Sequence, residues 1–295
     1  MRCDLHVHTY RSGMCTVPVL NRICRESYND PVAVCETLKL RGMNLITITD
    51  HDSIDAAEPF RNRPNFFLSE EISCTTPDGS RIHVGAYDIV ERDHVELQRR
   101  RDDLPSAFAY LREHRIFFGI NHAFSSLTGR RLEQDWDLFE AAVPAFETRN
   151  GAMLPSCNHA AVELARRLGK IAVAGSDAHT LAGLGRTYSE VPGARNRREF
   201  LDGLRRGAAI ACGEHGNYAK LTAAVWNIGI ALMREHPAGM LLAPLMLAIP
   251  AITLANCFSE ILFERTWTRR LERSRTMKPR ILSSGLAEAR PPTGC

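Results

Sequence analysis

From Arg2 to about residue 212, short apolar runs rich in β-branched residues alternate with segments whose apolar positions recur every three or four residues. That alternation predicts repeated βα units built on a largely parallel sheet. Strands are predicted near 3–8, 44–49, 65–72, 81–87, 116–121, 143–148, 171–175, 187–191 and 208–212, with helices between them. Asp30-Pro31 supplies an N-cap and a first-turn proline, Val32, Cys35 and Leu38 an apolar face, and Gly42 a stop. Ser156 is expected to cap a helix running through Leu168 to Gly169, and Asn196 one ending at Gly207. Pro77-Asp78-Gly79-Ser80 predicts a hairpin, so the sheet is not purely parallel.

The last quarter has a different pattern. Residues 237–259 carry no formal charge and are mostly Leu, Ala, Ile and Met, a length that matches the roughly 20 residues needed to cross a bilayer. Pro244 and Pro250 interrupt that run, and Thr253 and Asn256 dilute it. Two readings follow: a membrane-associated segment over 221–263, with Trp226 at the interface, or a helical hairpin buried on the body. Seven Lys and Arg between Arg265 and Arg280 form the basic flank expected beside an anionic leaflet, which places membrane association first.

Composition narrows the function classes. A chain of 295 residues with 44% apolar side chains closes a real core, which excludes a disordered or collagenous protein. Residues 264–295 hold eight Lys/Arg against three Glu, a net +5, so the remainder sums to −2 within the total of +3. A body of that charge is not a nucleic-acid-binding surface, and no duplex partner is expected. Nine cysteines lack C-x-x-C spacing, and Asp4 and His6 break any apolar leader. The expectation is a reducing, cytoplasmic location without disulfides or a signal peptide, at most on the inner face of a membrane.

The chemistry-bearing residues gather at strand ends. In Asp4-Leu5-His6-Val7-His8 two histidines spaced by two point to one face. Asp50-His51-Asp52 ends the second run, Glu70-Glu71 the third, His83 interrupts the fourth, His122 follows the fifth, and Asp177-Ala178-His179 follows 171–175. A single histidine after a strand is usually structural. Six of eleven histidines in such places, with carboxylate company, are ligand types suited to Zn, Mn or Fe. The donors exceed one tetrahedral ion, which implies two or more metals. His94, His114, His159, His215 and His236 are read as surface residues, and Arg99-Arg100-Arg101 as a solvated helix face.

The order H-x-H, TDHD, Glu, lone histidines and GSDAH resembles the polymerase-and-histidinol-phosphatase (PHP) metal-dependent phosphoesterases over about residues 2–212. The resemblance implies a distorted (β/α)7 TIM-like barrel at 1–215; the pattern of the chain adds a helical, membrane-associated segment with a basic tail at 216–295. The resemblance also implies that His6, His8, Asp177 and a glutamate hold one metal, that the same glutamate with His83 and His122 holds a second, and that His51 and His179 belong to a third position. Glu71, followed by Ile72 and Ser73, matches the bridging glutamate better than Glu70. The family's Asp or His five or six residues past the opening motif is replaced by Gly13 and Met14, with Cys15 beside them. His51 and His179 would then bind phosphate or protonate the leaving group.

Two or three divalent ions bridged by Glu71 would lower the pKa of a shared water to give hydroxide for attack on phosphorus. Asp177, His179 and His51 are the expected catalytic residues. Arg11, Arg149 and Arg186 are candidate substrate arginines, Asp50 a residue that orients a ligand, and Glu147 and Asn150 pocket-lining residues. The expected reaction is hydrolysis of a small phosphomonoester. Alternatives are a phosphodiesterase or 5′-3′ exonuclease on short oligonucleotides, and a non-catalytic metal-binding module anchored at a membrane.

Overall fold

The computed structural model describes residues 1–17, 20–235 and 237–277. Helix α1 spans Pro31–Leu40, with the Asp30 carboxylate accepting from Val32 N and Ala33 N, as the cap pattern predicts. Strand β1 is only Arg2–Cys3. Strand β2 (Ser69–Thr75) turns back through the expected hairpin into β3 (Arg81–Tyr87). Helices α2 (Glu91–Arg100) and α3 (Leu104–Glu113) lead to β4 (Phe117–Ile120). Then follow α4 (Glu133–Ala142), β5 (Ala145–Asn150), α5 (Pro155–Leu168), β6 (Ile171–Gly175), β7 (Thr187–Glu190), α6 (Arg197–Arg205) and β8 (Ile210–Gly213).

The strands form two sheets, ordered β1-β7-β8 and β2-β3-β4-β5-β6. Only β4-β5-β6 pair in parallel; β2-β3 and β3-β4 are antiparallel because the 77–80 turn reverses the chain. The mixed α/β class expected from the sequence is present, while no single closed sheet links the strands among the described residues. The runs 3–8 and 44–49 are extended and buried but do not join long ladders. Isolated parallel bridges Val7↔Ala178, Ile46↔Phe66 and His51↔Glu71 tie them to their neighbours. Thr49 N donates to Val7 O at 2.9 Å and Asp177 N to His6 O at 2.8 Å, so both runs still stand beside β2 and β6. Helix α5 begins two residues earlier than the Ser156 cap predicts, because Pro155 takes the first helical position and Leu154 the cap. Its far end closes at Gly169, which adopts φ 63°, a left-handed conformation open to glycine at no steric cost.

Apolar faces of α3, α4 and α5 pack on the five-stranded sheet through Phe108, Phe118, Phe139 and Phe146. A second cluster closes the opposite end of the strands, where Leu5, Leu45, Phe117, Val173 and Phe200 meet. After β8 the chain forms α7 (Tyr218–Glu235), a 3-10 stretch (Pro237–Ala248) and α8 (Ile249–Met277). Helix α8 is not detached from the body: Trp267 and Leu271 belong to the main core, with Trp267 6.4 Å from the Trp136 ring. The eight cysteines among the described residues are all free, in keeping with the expected lack of disulfides; Cys295 lies outside them. His236 and the basic residues from 278 onward also lie outside the described residues.

Candidate metal centre

Strand geometry explains which carboxylates reach the centre. Successive side chains of β2 alternate faces, so Glu70 and Glu71 cannot both point inward. Glu71, fully buried, faces the histidines, while Glu70 accepts from His94 of α2 at 2.7 Å on the other side. His94 is therefore not the partnerless surface residue its sequence context suggests. In β5 the pairing with β6 shifts register between Glu147 and Arg149. That bulge turns Glu147 and Asn150 to the same side, although residues three apart in a regular strand face oppositely.

Four groups of donor atoms converge, each with its atoms within 4.8 Å of one another: His6, His8, Asp177; His6, Glu71, His122; His51, Glu71, His83; and His8, His51, His179. Glu71 belongs to two of these groups, and His6, His8 and His51 link the rest. Glu71 Oε2 lies 3.2 Å from His6 Nε2 and 3.4 Å from His8 Nε2. Its Oε1 lies 3.2 Å from His122 Nε2 and 3.4 Å from His83 Nδ1. Oε2 also lies 3.2 Å from His51 Nδ1, so the two carboxylate oxygens address different sets of imidazoles. Asp177 Oδ1 completes the first set, 3.5 Å from His6 Nε2 and 3.3 Å from His8 Nε2.

The donor chemistry fits divalent cations. His6 Nε2, His8 Nε2, His51 Nδ1, His83 Nδ1 and Glu71 Oε2 are buried without a hydrogen-bond partner. Such atoms cost about 1–3 kcal/mol each when left unsatisfied, and all of them aim at the same small volume. The imidazole rings crowd to between 4.4 Å (His8–His179) and 5.7 Å (His6–His122), too close for all to carry a proton. Burial, together with His179 and His51, drives the His8 pKa down to about 3, leaving a neutral ligand. Burial alone would raise Glu71 and Asp177, but the surrounding histidines, His6 foremost, outweigh it and hold both carboxylates below their ordinary range.

Neighbouring groups fix the tautomers. His6 Nδ1 lies 2.9 Å from Glu147 Oε1, which turns the Nε2 lone pair inward. Ser12 Oγ donates to Asp50 at 2.7 Å, so at 2.9 Å from His8 Nδ1 it can only accept. Asp50 therefore orients His8 through Ser12. Asn150 Nδ2 donates to Glu147 Oε2 at 2.8 Å and to Asp177 Oδ2 at 3.0 Å. Glu147 and Asn150, expected only to line the pocket, instead position His6 and Asp177. Asp177 and His122 hold φ of 51° and 27°, uncommon for residues with a Cβ, and both bear donors of the centre.

Glu26 is the residue that sequence reasoning missed. It lies on the loop before α1, with Oε2 3.5 Å from His51 Nε2 and Oε1 3.6 Å from His179 Nε2. Burial opposes its charge, but those two histidines keep it ionised well below the ordinary carboxylate range. Glu26 thus brings a carboxylate to His51 and His179 from thirteen residues beyond Gly13. No short motif marks this; the only available signal was an acidic residue in a loop that must return to the HxH strand. Of the three arginines, Arg149 donates to Gly213 O at 2.8 Å and Arg186 pairs with Glu214 at 3.4 Å. Arg11 is exposed and stacks over the Tyr10 ring at 5.2 Å. His215, read as a lone surface residue, meets Asn158 Nδ2 at 2.9 Å.

Residues 155–209 match the PHP-associated family. No curated protein matches the chain. Among solved structures, a two-domain protein from Bacteroides vulgatus ATCC 8482, described as containing a predicted PHP-like metal-dependent phosphoesterase, is similar at TM-score 0.56 and 16% identity, over 75% of this chain and 68% of that one. PsfC from Pseudomonas syringae PB-5123 is similar at TM-score 0.56 and 18% identity, over 80% of this chain and 98% of that one. At these identities the likeness is one of fold. The matched segment and the shared fold make this chain similar to PHP-like metal-dependent phosphoesterases.

Proposed function

We propose that the protein hydrolyses phosphate esters at a centre of two or three divalent cations, with a small phosphomonoester as substrate. The observation that carries this reading is Glu71, whose two oxygens address separate sets of histidines, His6, His8 and His51 on one and His83 and His122 on the other. His6, His8, Asp177 and Glu71 would hold one cation, Glu71, His83 and His122 a second, and His51, His179 and Glu26 a third. Nitrogen and carboxylate donors of this kind suit Zn, Mn or Fe. Such cations supply Lewis acidity toward the phosphoryl oxygens and activate water near neutral pH.

The chain's own residues do the rest. Asp177 and Glu71 set the negative charge that binds the cations, and Glu147, Asn150 and Ser12 hold the histidine lone pairs on target. If only two cations are held, His179 Nε2 and His51 Nε2, which both face Glu26, are instead free, and either imidazole can carry a proton that Glu26 stabilises and deliver it to a departing oxygen. Arg11, three residues past His8 and without a carboxylate partner among the described residues, is the arginine best placed to meet substrate charge.

A phosphodiesterase or 5′-3′ exonuclease on short oligonucleotides could use the same donors, but the body's net −2 favours a small substrate over a polynucleotide. Turnover of p-nitrophenyl phosphate, its bis ester and a labelled oligonucleotide by the metal-loaded protein ranks these readings. Preference for the bis ester or the oligonucleotide overturns the monoester assignment. Retention of metal with no turnover of any of the three leaves a binding module.

A further inference from the structure

The C-terminal hairpin carries a run of large apolar side chains left exposed. In its 3-10 stretch Leu241 is 83% exposed and Leu247 80%, with Met240 and Leu245 also open. The exposed stripe continues along α8 through Ile252, Phe258 and Leu262. Apolar side chains of this size, contiguous over one face, mark an interaction surface. At its C-terminal end the stripe runs into the exposed Arg265 and Arg269.

The opposite face of α8 is committed to the body. Thr253, Cys257 and Glu260 are buried. The Glu260 carboxylate accepts from Ser126 N and Ser126 Oγ, both at 2.9 Å, on the loop that follows His122. At the other end of the hairpin Arg25 pairs with Glu235 of α7 at 3.0 Å, one residue before Glu26. The hairpin is therefore fixed to two loops that carry residues of the metal centre.

We propose that this face docks on an anionic lipid surface, lying along the headgroup layer rather than crossing the bilayer. The order of chemistry along the hairpin matches that partner. A stretch of 23 residues without charge, 237–259, is followed, after Glu260 on the body side and Glu264, by the exposed Arg265 and Arg269, as a bilayer presents an apolar interior bordered by negative headgroups. A second copy of the chain fits less well, because residues 237–259 hold no carboxylate to receive those arginines. Crossing is opposed by the fold. The segment Ala243–Arg273 contains an 18-residue window of mean hydropathy 1.7, long and apolar enough to span, but one face of it holds Glu260 against the body. A span would have to strip that carboxylate from Ser126 and bury it in hydrocarbon.

Flotation of the metal-loaded full chain with phosphatidylcholine vesicles, with and without phosphatidylglycerol, tests this. The expected result is recovery with the phosphatidylglycerol vesicles alone, weakening as salt rises. Leu241→Glu with Leu247→Glu should reduce recovery at least tenfold, and Arg265→Gln with Arg269→Gln roughly fivefold per arginine, the equivalent of about 1 kcal/mol each. An unchanged thermal melt and metal content in these variants establishes that they fold. Failure to float with either vesicle overturns the proposal, as does equal recovery on both. A dimer in solution that Leu241→Glu disperses, with no flotation, assigns the face to a second copy. Bound protein that resists carbonate extraction overturns docking in favour of insertion.

Discussion

Glu147 stands 2.9 Å from His6, with both side chains buried, and its second oxygen accepts from the His122 backbone at 3.0 Å. One carboxylate thereby aligns a donor from the opening strand with a donor from the loop after β4. Such partners of ligating histidines typically carry 10- to 100-fold in metal affinity. Glu147→Gln keeps the shape but removes the charge that holds the His6 Nδ1 proton. Metal affinity, measured by competition with a chelator, should fall by about that factor while the thermal melt of the metal-free protein changes little.

His8 is neutral, fully buried, and shared between two of the converging donor groups. His8→Ala should abolish phosphoesterase turnover and lower the metal retained per chain by elemental analysis, with a near-native far-UV spectrum. Undiminished turnover would remove His8 from the centre.

Gly175 ends β6 against the opening strand. A Cβ there would lie 2.3 Å from His6 Cβ and 2.5 Å from His6 N, and backbone cannot give way as a flexible side chain can. Gly175→Ala should destabilise the protein by roughly 1–3 kcal/mol, the usual cost of overpacking, and should also displace His6. The check is a denaturant titration paired with metal content, and loss in both is expected.

The Glu70–His94 pair sets a pH dependence. The hydrogen bond to Glu70 raises His94 above its ordinary value of 6.5. Burial raises Glu70 above 4.5, against the pull of His94. In both cases the folded state holds protons more tightly than the unfolded chain, so the slope of stability against pH is negative. The His94 contribution is complete below pH 6.5 and is lost as pH rises through its raised value. Melting of the metal-free protein should decline across that range, and His94→Gln should remove that part of the slope.

Much of the centre was legible in the linear chain. Strand alternation put His6 and His8 on one face and admitted only one of Glu70 and Glu71, and strand-end placement gathered His51, His83, His122, Asp177 and His179. These are short-range rules that each residue obeys with its immediate neighbours. Asp30, Asn196 and the 77–80 turn were readable for the same reason.

Tertiary structure decided what depends on distant partners. Whether the runs 3–8 and 44–49 form ladders depends on their neighbours' register, and they make only isolated bridges. The inward turn of both Glu147 and Asn150 required a bulge that pairing with β6 defines. Glu26 reaches His51 and His179 because its loop folds back over the opening strand, and a carboxylate has no sequence mark of the space it will enter. The chain by itself specified which atoms could bind metal; packing specified which of them meet, because convergence is a property of three-dimensional distance that sequence separation does not encode.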